Sequence, residues 1–251
     1  MQSRKKGNAL GVDLSHWNHD VDFKKVKESG ISFAILKATE GSNFIDDYLG
    51  KNYTGCKQND IGIGLYHFMR AETTEEAKKE ADYFIDVLDN LGGISAINIP
   101  PALDIEHDTP LPRGLVTAIA KTWLERIENY YGVTPMLYSY PWYIDTYLDS
   151  SLDKYPLWLA SYGNDSPKDM GGWNQWEFLQ VSDCGNVPGI VGNVDINEFR
   201  GTESDLMYKM KAEDAQQILH ILGGIYNSGL NPAKAHYLAD EVRKAAGMPI
   251  R

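Results

Sequence analysis

The stretch "IPPALDIEHD" (residues 99–108) decides the fold of this chain. Within it, apolar Leu103 and Ile105 alternate with acidic Asp104 and Glu106. Successive side chains of a strand point to opposite faces, so the two acids share one face. In a parallel barrel the apolar face packs against helices and both acids point inward, at the strand end where barrel enzymes build their sites. The same pattern also describes the wet face of an ordinary antiparallel strand.

Eight short runs bounded mostly by Gly, Pro, Asn or Asp predict eight strands. They cover residues 9–17, 31–41, 62–70, 100–107, 134–140, 156–163, 176–182 and 192–199. Two helical patterns lie between the earlier runs. The first, at residues 73–93, begins with a capping-box-like Thr73 and Glu76, and the second, at residues 113–132, ends at Gly132. Alternation of strand and helix indicates the α/β class with parallel strands, and eight strands suggest a barrel.

The last strands follow one another too closely for full crossover helices, since their runs begin at residues 134, 156, 176 and 192. We therefore expect loops or short turns there, with antiparallel pairing open to these strands. The barrel is predicted to span residues 1–200, followed by a linker at 201–211 and a small helical hairpin at 212–251. Two short helices bury little surface. The hairpin is expected to pack on the barrel, to self-associate or to stay loosely ordered.

Two further acids are expected beside Asp104 and Glu106. Asp13 lies near the end of the first strand and Asp195 lies in the last, and these strands are neighbours in a closed barrel. Like charges buried together raise one another's pKa, so such a cluster is costly without a function. Two carboxyl groups, one protonated and one ionised, are the minimum set for cleaving a glycosidic bond.

A metal site is the alternative use of these acids. His16, His67 and His107 also lie at strand ends, so Asp13, Asp104 and a histidine could hold a divalent ion. No HExxH or similarly tight spacing supports such a site. We therefore predict no metal and no cofactor, and assign the histidines to hydrogen bonds at the rim or in the core.

Composition limits the functional classes. The formal net charge of −11 argues against nucleic-acid binding, which needs a basic face. No apolar run is long enough for a transmembrane helix, and no signal-peptide pattern follows the N-terminal basic residues, so a cytoplasmic chain without membrane insertion is expected. Cys56 and Cys184 lack metal-site spacing, and both free thiols and one disulfide stay open.

Six segments together resemble the muramidases of glycoside hydrolase family 25, in order and in spacing, over residues 9–200. They are "GVDLSHWN", "KATEG", "YHF", "LDIEH", "LWLASYG" and "GNVDIN". The resemblance implies an irregular TIM-like barrel of five β/α units followed by three strands. It also implies cleavage of the β-1,4 bond between N-acetylmuramic acid and N-acetylglucosamine in bacterial peptidoglycan, with retention at the anomeric carbon.

The resemblance assigns roles to the acids. Glu106 matches the general acid/base, and Asp104 matches a residue that acts as nucleophile or orients the 2-acetamido group of the substrate. Asp13 and Asp195 match two acids that shape the charge and hydrogen bonding of the site. Six further residues are expected to contact sugar, although core packing is the alternative for each aromatic and foremost for Trp158 and Phe68. They are Tyr66, Phe68, Tyr138, Trp158, Tyr162 and Gln180. Lys37 and Glu40 are expected to form a structural ion pair.

The resemblance and the expected lack of a signal peptide suit a phage endolysin, made in the host cytoplasm and released to the wall by another protein. Residues 212–251 take the place of a wall-binding segment, with self-association or stabilisation equally open. The expected partner is the peptidoglycan glycan strand. Two alternatives are a non-catalytic peptidoglycan-binding module on the same barrel and a metal-dependent hydrolase of acyl groups.

Overall fold

All eight predicted strands form, and they lie side by side in one closed sheet. The computed structural model describes residues 1–107, 110–207 and 212–245. The strands are β1 (Leu10–Leu14), β2 (Ile31–Glu40), β3 (Phe44–Ile45), β4 (Gly62–Phe68), β5 (Ala102–Asp104), β6 (Met136–Ser139), β7 (Leu157–Ala160), β8 (Phe178–Gly185) and β9 (Val194–Phe199). The short β3, which was not predicted, pairs antiparallel with the end of β2.

Pairing of β1 with β2 closes the barrel, in the order β1-β9-β8-β7-β6-β5-β4-β2. Its neighbouring strands are parallel except β9, which runs antiparallel to β8 and to β1. Antiparallel pairing, which the sequence left open for the last strands, occurs between β8 and β9 but not between β7 and β8. The connections 140–156 and 161–177 are long enough to return the chain to the start of the barrel, whereas 186–193 is too short for a crossover.

Eight helices complete the described part of the chain. They are α1 (Phe23–Glu28), α2 (Leu49–Gln58), α3 (Thr74–Asn90), α4 (Arg113–Tyr131), α5 (Pro141–Tyr147), α6 (Glu203–Met207), α7 (Ala212–Asn227) and α8 (Pro232–Ala245). The capping box predicted at the start of α3 forms between Thr73 and Glu76. Gly132 ends α4 in the left-handed conformation, at φ 68°. The predicted start of α3 and the predicted end of α4 are therefore confirmed, whereas α3 ends at Asn90, just before the expected Gly92 and Gly93.

Most residues of the barrel strands are buried, on both faces of the sheet. On the outer face, Leu103 and Ile105 lie in an apolar layer that also contains Trp123 of α4. A second cluster fills the barrel interior and includes Phe33. Its ring needs Gly11 on the neighbouring strand, because a Cβ there would lie 2.3 Å from the ring. The barrel therefore has a packed interior and no open pore.

The chain divides into two compact units, and the division follows Leu206. Within the predicted linker, Glu203–Met207 forms a short helix. In the second unit, Asn231 caps α8 by accepting a hydrogen bond from the backbone N–H of Lys234. Residues 208–211 of the predicted linker and 246–251 of the predicted hairpin lie outside the described residues.

Two further observations bear on the expectations from the sequence. Cys56 is buried, Cys184 is exposed, and both are free thiols. Among the described residues, no helix is both long enough and apolar enough to cross a membrane.

Shortening the side chain of Leu103 tests whether this residue faces the helices, as it must if Asp104 faces the barrel interior. Leu103 is fully buried, so Leu103→Ala should lower the free energy of unfolding by about 2–5 kcal/mol, the range for large-to-small core changes. Urea unfolding followed by circular dichroism measures this change. Exposed Val191 provides the control, because Val191→Ala should change it by less than about 0.5 kcal/mol. Equal effects of the two substitutions would contradict the assigned orientation of β5.

Candidate active site

The four predicted acids line one cavity of about 430 Å³. Asp13 and Asp104 lie at or near the C-terminal ends of β1 and β5, and Glu106 lies two residues beyond Asp104. Asp195 lies near the start of β9, and because β9 is antiparallel to β1 it pairs directly with Asp13. The expected convergence of the acids at one mouth of the barrel is thus what the structure shows.

Glu106 lies beyond the end of β5, yet it shares the cavity with Asp104. The backbone N–H of Ile105 donates to the carbonyl of Tyr138, at 3.1 Å, so the extended pairing with β6 continues past Asp104. The side chain of Ile105 is buried in the layer beneath the helices. Strand alternation consequently brings Glu106 to the same side as Asp104.

Gln180 holds Asp13 in place. Its Nε2 donates to Oδ2 of Asp13 at 2.8 Å. Its Oε1 accepts from the hydroxyls of Tyr138, at 3.1 Å, and Tyr162, at 2.9 Å. Both ends of the amide are thereby occupied, which fixes its orientation.

Asn197, which was not predicted from the sequence, also holds Asp13 in place and links it to Trp158. Its Nδ2 donates to Oδ2 of Asp13 at 2.8 Å, and its Oδ1 accepts from Nε1 of Trp158 at 2.7 Å. It is two residues after Asp195 on β9 and so faces the same side of the strand. That spacing is the signal by which it could have been found.

Asp13 and Asp195 share a site that disfavours two negative charges. Burial raises the pKa of Asp13, although hydrogen bonds from Asn197 and Gln180 act in the opposite direction. Burial and the charge of Asp13 raise the pKa of Asp195 to about 8. At neutral pH the Asp195 carboxyl is therefore protonated and donates a hydrogen bond to Asp13.

Asp104 and Glu106 form a second coupled pair. Burial, followed by the charge of Glu106, raises the pKa of Asp104 well above its ordinary value of 3.8. Burial and the charge of Asp195 raise the pKa of Glu106 above 4.5. Burial thus favours a proton on this pair at a pH where free carboxyl groups are ionised. From the sequence, Glu106 is predicted to be the protonated member and Asp104 its ionised partner, and the structure adds that burial raises the pKa of both. Oδ1 of Asp104 is buried, and no group among the described residues makes a hydrogen bond to it.

Lys37 is the cation of the cavity. It lies on β2 and its Nζ pairs with Oε2 of Glu40 at 2.5 Å, which is the structural ion pair expected from the sequence. The same side chain lines the acid cavity, a position that the sequence analysis missed. Its charge acts to lower the pKa of both Asp104 and Glu106, against the effect of burial. A lysine within an otherwise apolar strand is the signal for such a position.

All six predicted sugar-contacting residues line the acid cavity, together with four that were not predicted. The first set is Tyr66, Phe68, Tyr138, Trp158, Tyr162 and Gln180, and the second is Ser15, Trp17, Asn18 and Asn193. Exposure differs widely among the aromatic residues, from 2% for Trp158 to 50% for Tyr162 and 77% for Trp17. Contact between these residues and sugar stays a prediction.

The three histidines considered for a metal site make other interactions. Nδ1 of His16 pairs with Asp46 at 2.7 Å. His67 is buried and its Nε2 lies 2.8 Å from Glu80, and Arg70 donates to His107 at 2.9 Å. These rings do not line the acid cavity as far as the described residues define it, and within the same residues no group of three or more ligand side chains is arranged for a metal ion.

Comparison with known proteins identifies similar chains. The family model described as "Glycosyl hydrolases family 25" matches residues 12–190. "Lysozyme M1" of Streptomyces globisporus is 35% identical over 208 residues, covering 78% of this chain and 69% of that protein. The "N,O-diacetylmuramidase" of Chalaropsis sp is 33% identical over 205 residues, covering 74% and 95%. A crystal structure of the bacterial lysozyme from Streptomyces coelicolor superposes with a TM-score of 0.72 at 32% identity, covering 81% and 97%.

The raised pKa of Asp195 predicts a pH-dependent loss of stability. An acid that binds its proton more tightly in the folded state makes stability fall as the pH rises from its unfolded pKa, near 3.8, to its folded pKa, about 8. Asp195→Asn removes this loss. The free energy of unfolding of the variant, relative to wild type, should therefore increase across that pH interval in urea unfolding.

A double-variant cycle with Asp13 is the control for this prediction. The charge of Asp13 is one cause of the raised pKa of Asp195. In an Asp13→Asn background, Asp195→Asn should therefore have a smaller pH-dependent effect. A constant difference between Asp195→Asn and wild type at every pH would show that the two carboxyl groups do not share a proton as described.

Proposed function

This chain belongs to glycosyl hydrolase family 25 and is a glycosidase, and from this premise we propose that it cleaves bacterial peptidoglycan as a muramidase. The bond broken is the β-1,4 bond between N-acetylmuramic acid and N-acetylglucosamine. The observation that carries the proposal is the cavity at the barrel mouth, where two coupled pairs of carboxyl groups meet. Acid-catalysed cleavage of a glycosidic bond requires one carboxyl group that keeps its proton and a second one that acts as a carboxylate.

Glu106 acts as the general acid and base. Its carboxyl is partly exposed in the cavity, and burial raises its pKa, with a further contribution from Asp195 when that group is ionised. A raised pKa keeps the proton on Glu106 at a pH where a free glutamate is ionised, so that it is available for the leaving glycosidic oxygen. After departure of that sugar, the carboxylate can remove a proton from the incoming water.

Asp104 acts on the sugar ring itself, as nucleophile or by orienting the 2-acetamido group that then attacks the anomeric carbon. The support is its unpartnered Oδ1, since a buried oxygen without a hydrogen bond is an acceptor left for the substrate. Both routes give retention of configuration. Delivery of the proton to the glycosidic oxygen places negative charge on Glu106, and Lys37 stabilises that charge.

Asp13 and Asp195 support the reaction through charge and hydrogen bonding. The Asp13 carboxylate is fixed by Gln180 and Asn197. Asp195 raises the pKa of Glu106 through its charge when ionised. The aromatic lining, with Tyr162 half exposed and Trp17 largely exposed, provides flat apolar surfaces for the faces of sugar rings.

The phage-endolysin role and the function of residues 212–251 stay predictions from the sequence. Neither bears on the reaction proposed for the barrel. Cleavage of purified walls added to the protein can be measured whatever the route to the wall in the cell.

Glu106→Gln tests the proposed reaction. The substitution removes the ionisable proton while keeping size, so the variant should fold like wild type and release reducing sugar ends from purified walls about 10²–10⁴-fold more slowly. Glu125→Gln, the same chemical change on a half-exposed helical side chain, should leave the rate unchanged. Near-normal activity of Glu106→Gln would refute its role as the acid.

The same assay separates the alternatives. A non-catalytic peptidoglycan-binding module would sediment with walls but release no reducing ends in the wild-type protein. A metal-dependent hydrolase of acyl groups would lose activity with a chelator, and mass spectrometry of its products would show lost acyl groups in intact glycan strands.

A further inference from the structure

A second cavity, of about 790 Å³, opens beside the acid cavity. Part of its lining comes from the turn between β2 and β3, residues 40–44, and part from residues 70–72 and the first turns of α3. The hairpin that forms the first part was not predicted from the sequence. The cavity exists because β2 extends beyond its neighbours and turns back on itself through β3.

The two cavities adjoin, because Trp17, Lys37 and Phe68 line both. Trp17 lies in the short helical turn His16–Asn18, which is capped by the side chain of Ser15. Its ring is 77% exposed and lies against the ring of His16, with centroids 4.8 Å apart. The second cavity is therefore a neighbouring space for substituents of a sugar bound at Asp104 and Glu106.

The lining of the second cavity carries charges of both signs. Glu40 accepts from Lys37 and from Arg70, so these three side chains form a closed ion-pair group. Lys79 and Glu72 also line this cavity but do not belong to that ion-pair group. Within the described part of the chain, neither side chain makes a hydrogen bond or an ion pair, and Lys79 acts on its neighbour Glu76 only through its charge. One cation and one anion are thus available to a ligand.

A neutral sugar ring offers hydroxyl and acetamido groups but no charged group that could pair with Lys79 or Glu72. The muramic acid of peptidoglycan differs, because its lactyl group carries a short peptide with free carboxylates and a free amino group. In the proposed reaction the anomeric carbon attacked belongs to that sugar. Its peptide is thus a charged substituent on the sugar bound at the acid cavity, and the adjoining cavity offers charges of both signs to receive it.

We propose that the second cavity binds the peptide substituent of the muramic acid, with Lys79 contacting a peptide carboxylate and Glu72 the peptide amino group. This inference rests on the proposed muramidase function. It makes the enzyme selective for glycan strands that still carry their peptides over strands from which the peptides have been removed.

The test compares two pools of the same glycan strands, one with peptides intact and one with peptides removed by an amidase. The measured quantity is the ratio of kcat/KM on intact strands to kcat/KM on stripped strands, from release of reducing ends. Wild type should give a ratio above one. Lys79→Ala should lower the ratio about two- to fivefold, the size of one solvent-exposed ion pair, and adding Glu72→Gln should lower it further.

Lys78 provides a matched control, because it precedes Lys79 on α3 but pairs with Glu75 and does not line the cavity. Lys78→Ala should leave the ratio at the wild-type value. A wild-type ratio of one would overturn the proposal, as would a Lys79→Ala variant slowed equally on both pools, which would assign the cavity to a sugar ring. Release from neither pool would instead refute the muramidase function on which the proposal rests.

Discussion

Burial of four carboxyl groups at one end of a closed barrel is the constraint on which the rest of the structure depends. Asp13 and Asp195 face each other across paired strands, where two like charges are destabilising. The conflict is reduced in two ways. Gln180 and Asn197 donate to Asp13, and the pKa of Asp195 is raised so far that its carboxyl is protonated at neutral pH. The amide donors and the shared protons make the cluster tolerable and give it its acid chemistry.

The same strand alternation builds the core and the site. Along β2 the interior positions are Phe33, Ile35 and Lys37, and along β8 they are Phe178 and Gln180. Each strand thus changes from apolar to polar on its inward face as it approaches the mouth. The apolar half fills the barrel, and the polar half forms the acid cavity above a rigid floor.

The pattern of residues within single strands predicted much of this arrangement. Alternation in "LDIEH" predicted the shared face of Asp104 and Glu106. The positions of Asp13 in the first strand and Asp195 in the last strand predicted that these two acids line the same cavity. Features that depend on two distant segments were not predictable in this way. Strand direction in β7 and β8 follows from how the connections pack, β3 exists only as a partner of β2, and Lys37 enters the cavity only once the barrel has closed. The proton distribution between Asp104 and Glu106 depends on burial, which a sequence does not state.

Burial keeps a proton on the Asp104–Glu106 pair at a pH where free carboxyl groups are ionised. Carbon-13 NMR of side-chain carboxyl groups measures this directly across a pH titration, with the Asp104→Asn and Glu106→Gln proteins used to assign the signals. We expect at least one of the two carboxyls to titrate well above the ordinary pKa values of 3.8 for aspartate and 4.5 for glutamate. Titration of both groups at those ordinary values would contradict it.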